Sequence, residues 1–266
     1  MTNPRQGLPD GVDLSVPSAA RLYDYLLGGA HNFAVDREFG DKLVASHPYA
    51  RPMAILNRLF LREAVRLMVH SGIRQFLDLG SGIPTRGNVH EVAHEIAPDV
   101  KVVYVDYEAV AVAHTRMLLG DNDNATMVHA DAADVDRVLD SPECARLLDF
   151  SRPVGLLVVT LFHYIGPDKQ PQQVMARYRD ALAPGSHLAM THLALDAATE
   201  DLVEMMRSTQ DNIFPRSQDE IRDLFGDFLL RDPGLQPISA WLRARDVDAE
   251  DNPEAGRLLA GVARKA

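Results

Sequence analysis

The sequence predicts an α/β protein built on a doubly wound, mostly parallel sheet, with a helical extension in front of it. Three observations carry this. From Ile73 onward, short apolar runs alternate with amphipathic segments long enough to be crossover helices. The first run, residues 76–79, feeds straight into Gly80, Ser81 and Gly82, and roughly the first 70 residues show helical spacing only. With 266 residues, 46% apolar, 24% charged and 6% aromatic, the chain can bury a substantial core, which excludes disordered and fibrous architectures. One α/β domain with additions fits that length. The change of texture divides it into an N-terminal arm and helical lid, residues 1–71, and a core, residues 72–266.

Residues 1–15, rich in Pro, Gly and Asp, read as a loose arm. Ser18 then serves as an N-cap, and Ala20, Leu22, Tyr23, Leu26 and Leu27 give a helical spacing that Gly28 and Gly29 end. A second helix is expected over 36–46. A third, over 53–69, carries Ile55, Leu59, Ala64, Leu67 and Met68 as apolar positions. Strands are expected at 76–79, 100–105, 126–130, 154–160 and 187–191, each too short for a helix. Between them, 87–96, 108–119, 134–149 and 171–182 suit crossover helices, as parallel neighbours require. Helices at 197–208 and 217–226 and closing strands at 228–230 and 258–263 complete the chain.

Lys and Arg number 27 against 38 Asp and Glu, a net charge of −11, and the arginines are scattered. Such a field repels phosphate backbones and anionic lipid surfaces, so neither a nucleic acid nor a membrane is expected as partner. The single cysteine, Cys144, excludes a disulfide framework and cysteine metal clusters. With no signal-peptide pattern and no apolar run of spanning length, a cytoplasmic location is expected.

The segment most informative about chemistry is Phe76-Leu77-Asp78-Leu79-Gly80-Ser81-Gly82, a buried-strand pattern entering a glycine turn and then, past Pro84, a helix from about Asn88. Glycines let a ligand approach the backbone, and the helix start offers unpaired N–H groups. A pyrophosphate-binding loop would put Gly or Ala where Thr85 stands, and Asp78 would repel pyrophosphate while suiting an ammonium or sulfonium. The loop therefore favours a cationic nucleotide cofactor over a nicotinamide dinucleotide. Asp106, 24 residues beyond Gly82, closes the second strand, where an acid can accept from both ribose hydroxyls. Asp131 ends the third strand and could receive an adenine amino group, with the Ala132 N–H beside it.

These residues, with the run into Thr160-Leu161-Phe162-His163-Tyr164 and Pro184-Gly185-Ser186, resemble the successive motifs of class I S-adenosylmethionine-dependent methyltransferases, which have a Rossmann-like fold. The stretch Ser18-Ala19-Ala20-Arg21-Leu22-Tyr23-Asp24-Tyr25-Leu26-Leu27-Gly28-Gly29, with Asn32, Phe33, Asp36 and the segment from Gly82 to Glu91, is similar to the signature of one S-adenosyl methyltransferase family long catalogued as a domain of unknown function. Pro84 stands where the general pattern often has a third glycine. The resemblance implies S-adenosylmethionine as cofactor, an unidentified small-molecule acceptor, and cofactor contacts at Asp78, Gly80, Ser81, Gly82, Asp106, Tyr107, Asp131, Ala132 and Thr160. A regulatory module that binds S-adenosylmethionine or S-adenosylhomocysteine without catalysis is the alternative. Oligomeric state is not legible.

Three features need weighing. His90-Glu91-Val92-Ala93-His94 satisfies the H-E-x-x-H pattern of zinc proteases, but the metzincin continuation fails at Ala97 and Val100. A buried stripe of Val89, Val92, Ala93 and Ile96 would leave the histidines on its flank, so no metal is expected. His163 and Tyr164 follow the fourth strand, at the edge where open sheets bind ligands, and are the only candidates for a catalytic base or an acceptor-pocket role. Methyl transfer chiefly needs proximity and orientation, so no obligatory triad is expected. Finally, Arg21, Tyr23 and Asn32 suit a lid pivoting at Gly28 and Gly29, with Arg21 or Asn32 reaching the cofactor's carboxylate.

Overall fold

The computed structural model describes residues 12–85, 87–196, 199–249 and 257–266. The first 11 residues of the expected arm lie outside them.

Three helices come first: α1 (Ala19–Leu26), α2 (Ala34–Ser46) and α3 (Ala50–His70). Then strands and helices alternate as β1 (Gln75–Leu79), α4 (Val89–His94), β2 (Lys101–Asp106), α5 (Ala109–Leu119), β3 (Ala125–His129), α6 (Val135–Leu139), α7 (Pro142–Leu147), β4 (Gly155–Val159), α8 (Pro171–Ala181) and β5 (His187–Leu193). The chain finishes with α9 (Thr199–Met206), α10 (Gln218–Phe225), β6 (Leu229–Leu230), β7 (Gln236–Pro237), α11 (Ile238–Arg243) and β8 (Leu258–Arg264).

One sheet runs in the order β3-β2-β1-β4-β5-β8-β6, with β7 also on β8. β1 to β5 are mutually parallel and β8 is antiparallel to β5. The expected doubly wound architecture is therefore the observed one. The strand order reverses between β1 and β4, the position where open α/β sheets bind ligands at the carboxyl ends of the strands. Strand alternation sorts side chains to two buried faces. Phe76, Val102, Leu157 and Ala189 pack with α3, α4 and α11, while Leu77, Val103, Leu156 and Leu188 pack with α7, α8 and α10. Asp78, two residues beyond Phe76, consequently lies on the α3 side.

Some expected elements shift for identifiable reasons. The 134–149 segment is two short helices, because Ser141 caps a new N-terminus with Pro142 at its first position. On α3, Ile55 is half exposed; the buried positions are Ala50, Ala54, Leu56, Asn57, Phe60, Leu61, Ala64, Val65, Met68 and Val69. The helix is covered on two sides, by the sheet and by α1 and α11, so its buried arc is wide and out of phase with a single stripe. Ile96 is partly exposed because α4 stops at His94. The two-residue strand β7 and the single-turn helix α11, which brings Trp241 against Phe60 with ring centroids 4.7 Å apart, have no counterpart in the expected elements.

Candidate functional site

The carboxyl end of β1 opens into a turn that only glycine makes without strain: φ is +66° at Gly80 and +67° at Gly82. A Cβ on Gly80 would stand 2.5 Å from Cδ1 of Leu161, so this turn also meets the segment after β4 at backbone distance. The Gly80 and Ser81 N–H groups donate to the Val105 carbonyl at 2.8 and 3.1 Å, fastening the turn to β2. Beyond it, α4 begins with a capping box in which the Glu91 carboxylate accepts from the Gly87 and Asn88 N–H groups.

Two carboxylates sit at adjacent strand ends. Asp78 is 5% exposed, and among the described residues no hydrogen bond reaches its carboxylate. Burial pushes its carboxyl up to about 7, Arg58 opposes the rise and the neighbouring Asp106 adds to it. Asp106, also buried, accepts from the Gly82 N–H at 2.7 Å and the Glu108 N–H at 2.9 Å, yet desolvation still pushes it up to about 6. A site that keeps carboxylates this dry favours a cationic or hydroxyl-bearing guest. Arg58, on α3, donates to the Gly87 carbonyl at 3.0 Å and lines the same cleft.

Opposite the turn, Thr160 adopts φ +52° at the end of β4, a costly conformation for a threonine. It is held there by Asn57. The Asn57 amide N–H₂ donates to Thr160 Oγ1 at 3.2 Å and to the Tyr23 hydroxyl at 2.8 Å, and its oxygen accepts from Thr191 Oγ1 at 2.7 Å. Thr191 Oγ1 in turn accepts from the Thr160 N–H. Tyr23 completes the chain by donating to the Ala54 carbonyl at 3.1 Å.

Asp78, Gly80, Ser81, Gly82, Asp106, Tyr107, Thr160 and Tyr23 line one cleft, as do His163 and Tyr164. Asp131 and Ala132 line a second cavity, which shares Gly80, Asp106, Tyr107, Leu161, Tyr164 and Asp211 with the first. Asp131 pairs with Lys169 at 2.7 Å at the rim. Where the two cavities meet, the Tyr107 hydroxyl donates to Asp211, whose other oxygen accepts from the Ala19 N–H at 2.7 Å.

Two expected residues do not reach either cavity. Arg21 is fully buried and its guanidinium is engaged inside the protein: Nε meets Asp36 at 2.9 Å, Nη1 meets Glu108 at 3.1 Å, and Nη2 donates to the Val16 carbonyl at 2.7 Å. Asn32 is likewise engaged, donating to Asp24 and to the Gly29 carbonyl. In this structure both serve as structural residues, because Arg21 spans two carboxylates inside the protein and Asn32 fastens the turn after α1, with neither lining a cavity. The H-E-x-x-H histidines also have internal partners, His90 Nδ1 with the Tyr104 hydroxyl at 2.7 Å and His94 Nε2 with the Val100 carbonyl at 2.8 Å. Among the described residues no group of His, Cys, Asp and Glu is placed to hold a metal ion, and no helix is long and apolar enough to cross a membrane.

His163 is poorly suited to be a base. The Leu193 N–H points at its Nδ1 at 3.4 Å, which leaves the ring proton on Nε2, and burial next to His192 and Arg216 drives its pKa well down. Tyr164 is held in the phenol form by burial, with the Asp211 carboxylate adding to the effect. Sequence reasoning missed Asn57, Arg58 and Asp211. Nothing in their local pattern marks them, since each acts through partners distant in the chain.

Comparison with known proteins bears on this geometry. A family model described as S-adenosyl methyltransferase matches residues 5–266. The chain belongs to this family. A methyltransferase candidate from Thermobifida fusca YX is 40% identical, with a TM-score of 0.90 over 96% of this chain and 97% of its own. A DUF574 family protein from Streptomyces avermitilis MA-4680 is 30% identical, with a TM-score of 0.88 over 96% and 99%. Mitomycin 7-O-methyltransferase MmcR, 18% identical with a TM-score of 0.50 over 94% and 69%, is similar in fold. No curated protein matches the sequence. S-adenosylmethionine is this family's cofactor, and the glycine turn, with two dry carboxylates beside it, fits a cationic nucleoside of that kind.

The raised carboxyls give this methyltransferase-family chain a pH signature. In the folded state Asp78 retains a proton that the unfolded chain, with its usual carboxyl near 3.8, has already lost. Folding stability therefore falls as pH rises from the unfolded carboxyl range towards about 7, by up to about 1.4 kcal/mol per pH unit for each such group, and levels off once the folded-state proton is lost. Urea unfolding of the ligand-free protein is expected to show higher stability at pH 6 than at pH 8, with Asp78→Asn flattening the dependence. Equal pH slopes in the two proteins would contradict the assignment.

Proposed function

We propose that the chain transfers the methyl group of S-adenosylmethionine to a small-molecule acceptor bound in the same cleft. The observation that carries this reading is the pair of desolvated carboxylates, Asp78 and Asp106, beside the positive-φ glycines. When bound, the cofactor supplies a methyl carbon on a sulfonium: an acceptor lone pair forms the new bond, the carbon–sulfur pair stays on sulfur, and any acceptor proton goes to water.

The chain's own residues do the holding. Asp78 would neutralise the ammonium, and Asp106 would accept from the ribose hydroxyls with lone pairs that its two backbone donors leave over. The Gly80, Ser81 and Gly82 backbone would lie against the guest, with Tyr107 and Thr160 flanking it, while Asp131 and the Ala132 N–H would serve the adenine edge in the second cavity. Residues 18–36 would act as a lid: α1 contributes Ala19, Ala20, Leu22, Tyr23 and Leu26 to the cleft wall, and Gly28, φ +77° with open space around its Cβ position, provides a turn near its end.

Incubation with S-adenosylmethionine and a panel of candidate acceptors is expected to release S-adenosylhomocysteine. Binding of S-adenosylhomocysteine with no turnover on any acceptor would instead support the regulatory-module reading. Asp106→Ala is expected to weaken S-adenosylhomocysteine binding by about 1–3 kcal/mol, as loss of a charged acceptor implies. Unchanged affinity in a folded variant would remove Asp106 from the site.

Hydrogen exchange tests the lid separately. Amides of residues 18–36 should exchange markedly more slowly with S-adenosylhomocysteine bound than without it, while the strands change little. Equal protection in both states would make the extension a fixed cap.

A further inference from the structure

The lining of the cleft changes character along its length. The charged side chains lining it, Arg58, Asp78, Asp106, Glu108 and Asp211, are tied to the glycine turn, the end of β2 and the Tyr107 bridge. Away from that end the cleft runs into a chamber walled by Leu22, Leu43, Leu193, Leu202, Met206 and Ile213, which also form a packed apolar cluster of their own. These six come from α1, α2, β5, α9 and the segment after α9, so the chamber lies between the helical extension and the sheet edge.

Three polar groups at the chamber wall, Tyr23, His163 and Tyr164, are neutral hydrogen-bonding groups. Tyr23 Oη is fixed between Asn57 and the Ala54 carbonyl. His163 carries its proton on Nε2 and stays uncharged in its buried setting, and Tyr164 remains a phenol. His47 sits edge-on to Tyr49, ring centroids 5.6 Å apart, with Ser46 at its Nδ1. A charged guest would lose its hydration against this wall, whereas an apolar one would gain burial against leucine, isoleucine and methionine.

We propose that this chamber is the acceptor site and that it selects an uncharged, largely apolar, ring-sized molecule with a single polar methyl-accepting atom. The proposal rests on the methyltransferase reading for the word acceptor; the selectivity itself rests on the chamber alone. It places ammonium, carboxylate and phosphate compounds outside the substrate class.

Three probes of one size separate charge from shape: 2-naphthol, 2-naphthoate and 2-naphthylmethylamine, titrated calorimetrically at pH 7.5 into protein saturated with S-adenosylhomocysteine and into ligand-free protein. The expected result is that 2-naphthol binds at least about tenfold more tightly than either charged probe. Met206→Glu should weaken 2-naphthol at least about tenfold, and the milder Met206→Ala should weaken it measurably, while the S-adenosylhomocysteine affinity of both variants stays within about twofold of the parent. A charged probe that binds as tightly as 2-naphthol, no binding by 2-naphthol, or 2-naphthol affinity unchanged in both variants would each overturn the proposal. Failure of S-adenosylhomocysteine to bind, with the probe ranking intact in ligand-free protein, would overturn the cofactor reading and leave the chamber's selectivity standing.

Discussion

The cost of keeping two carboxylates dry at the ends of β1 and β2 is the constraint to which the surrounding structure answers. Asp78 and Asp106 are both under a tenth exposed and both hold their protons well above the usual carboxylate range. A core replaced by apolar side chains at these positions would be more stable, because desolvated charge is expensive unless something compensates. Partial compensation is visible. The Gly82 and Glu108 N–H groups serve Asp106, and the Arg58 cation favours the ionised form of Asp78. The remainder is left for a guest, which is how a binding site differs from a core.

The roof of the cleft is tied to this floor by charge as well as by packing. Arg21 on α1 bridges Asp36 on α2 to Glu108, and Glu108 is also the N-cap of α5, accepting from the Ala111 N–H. In this arrangement one guanidinium ties the extension to the helix that starts just beyond Asp106. Asp211 makes a second tie, from the segment after α9 to both Ala19 and Tyr107. The helical extension is thus part of the site's architecture, and its apolar inner face supplies Leu22 and Leu43 to the chamber in which an uncharged acceptor would sit.

Much of this was legible locally. A strand that ends in Asp78 and enters Gly80-Ser81-Gly82, and a second that ends in Asp106, are short-range patterns whose meaning depends on few residues. The layer order followed from alternation of strands and helices. What stayed hidden was long-range. Arg21 reads as a free cation near a signature motif, but its partner Glu108 is 87 residues away, and the pairing turns a candidate ligand-binding group into a structural one. Asn57 and Arg58 sit on a helix whose pattern announces only a core face; their roles emerge when α3 packs beside Thr160, Thr191 and Asp78. The break between α6 and α7 was available from Ser141-Pro142, a cap and first-turn pair lying inside an otherwise helical stretch.

The role proposed for Asp78 requires a dry, partly protonated carboxyl to become a carboxylate when it meets the cofactor's ammonium. Calorimetric titration with S-adenosylhomocysteine at pH 6, repeated in buffers of different ionisation enthalpy, counts the protons exchanged on binding. At that pH the ligand's own amino group, ordinarily titrating near 8, is already charged. Net release of about one proton is expected from the parent protein and much less from Asp78→Asn, since Asp78 sits at about 7 before binding. Binding of S-adenosylhomocysteine with no proton released, or with the same release from both proteins, would contradict it.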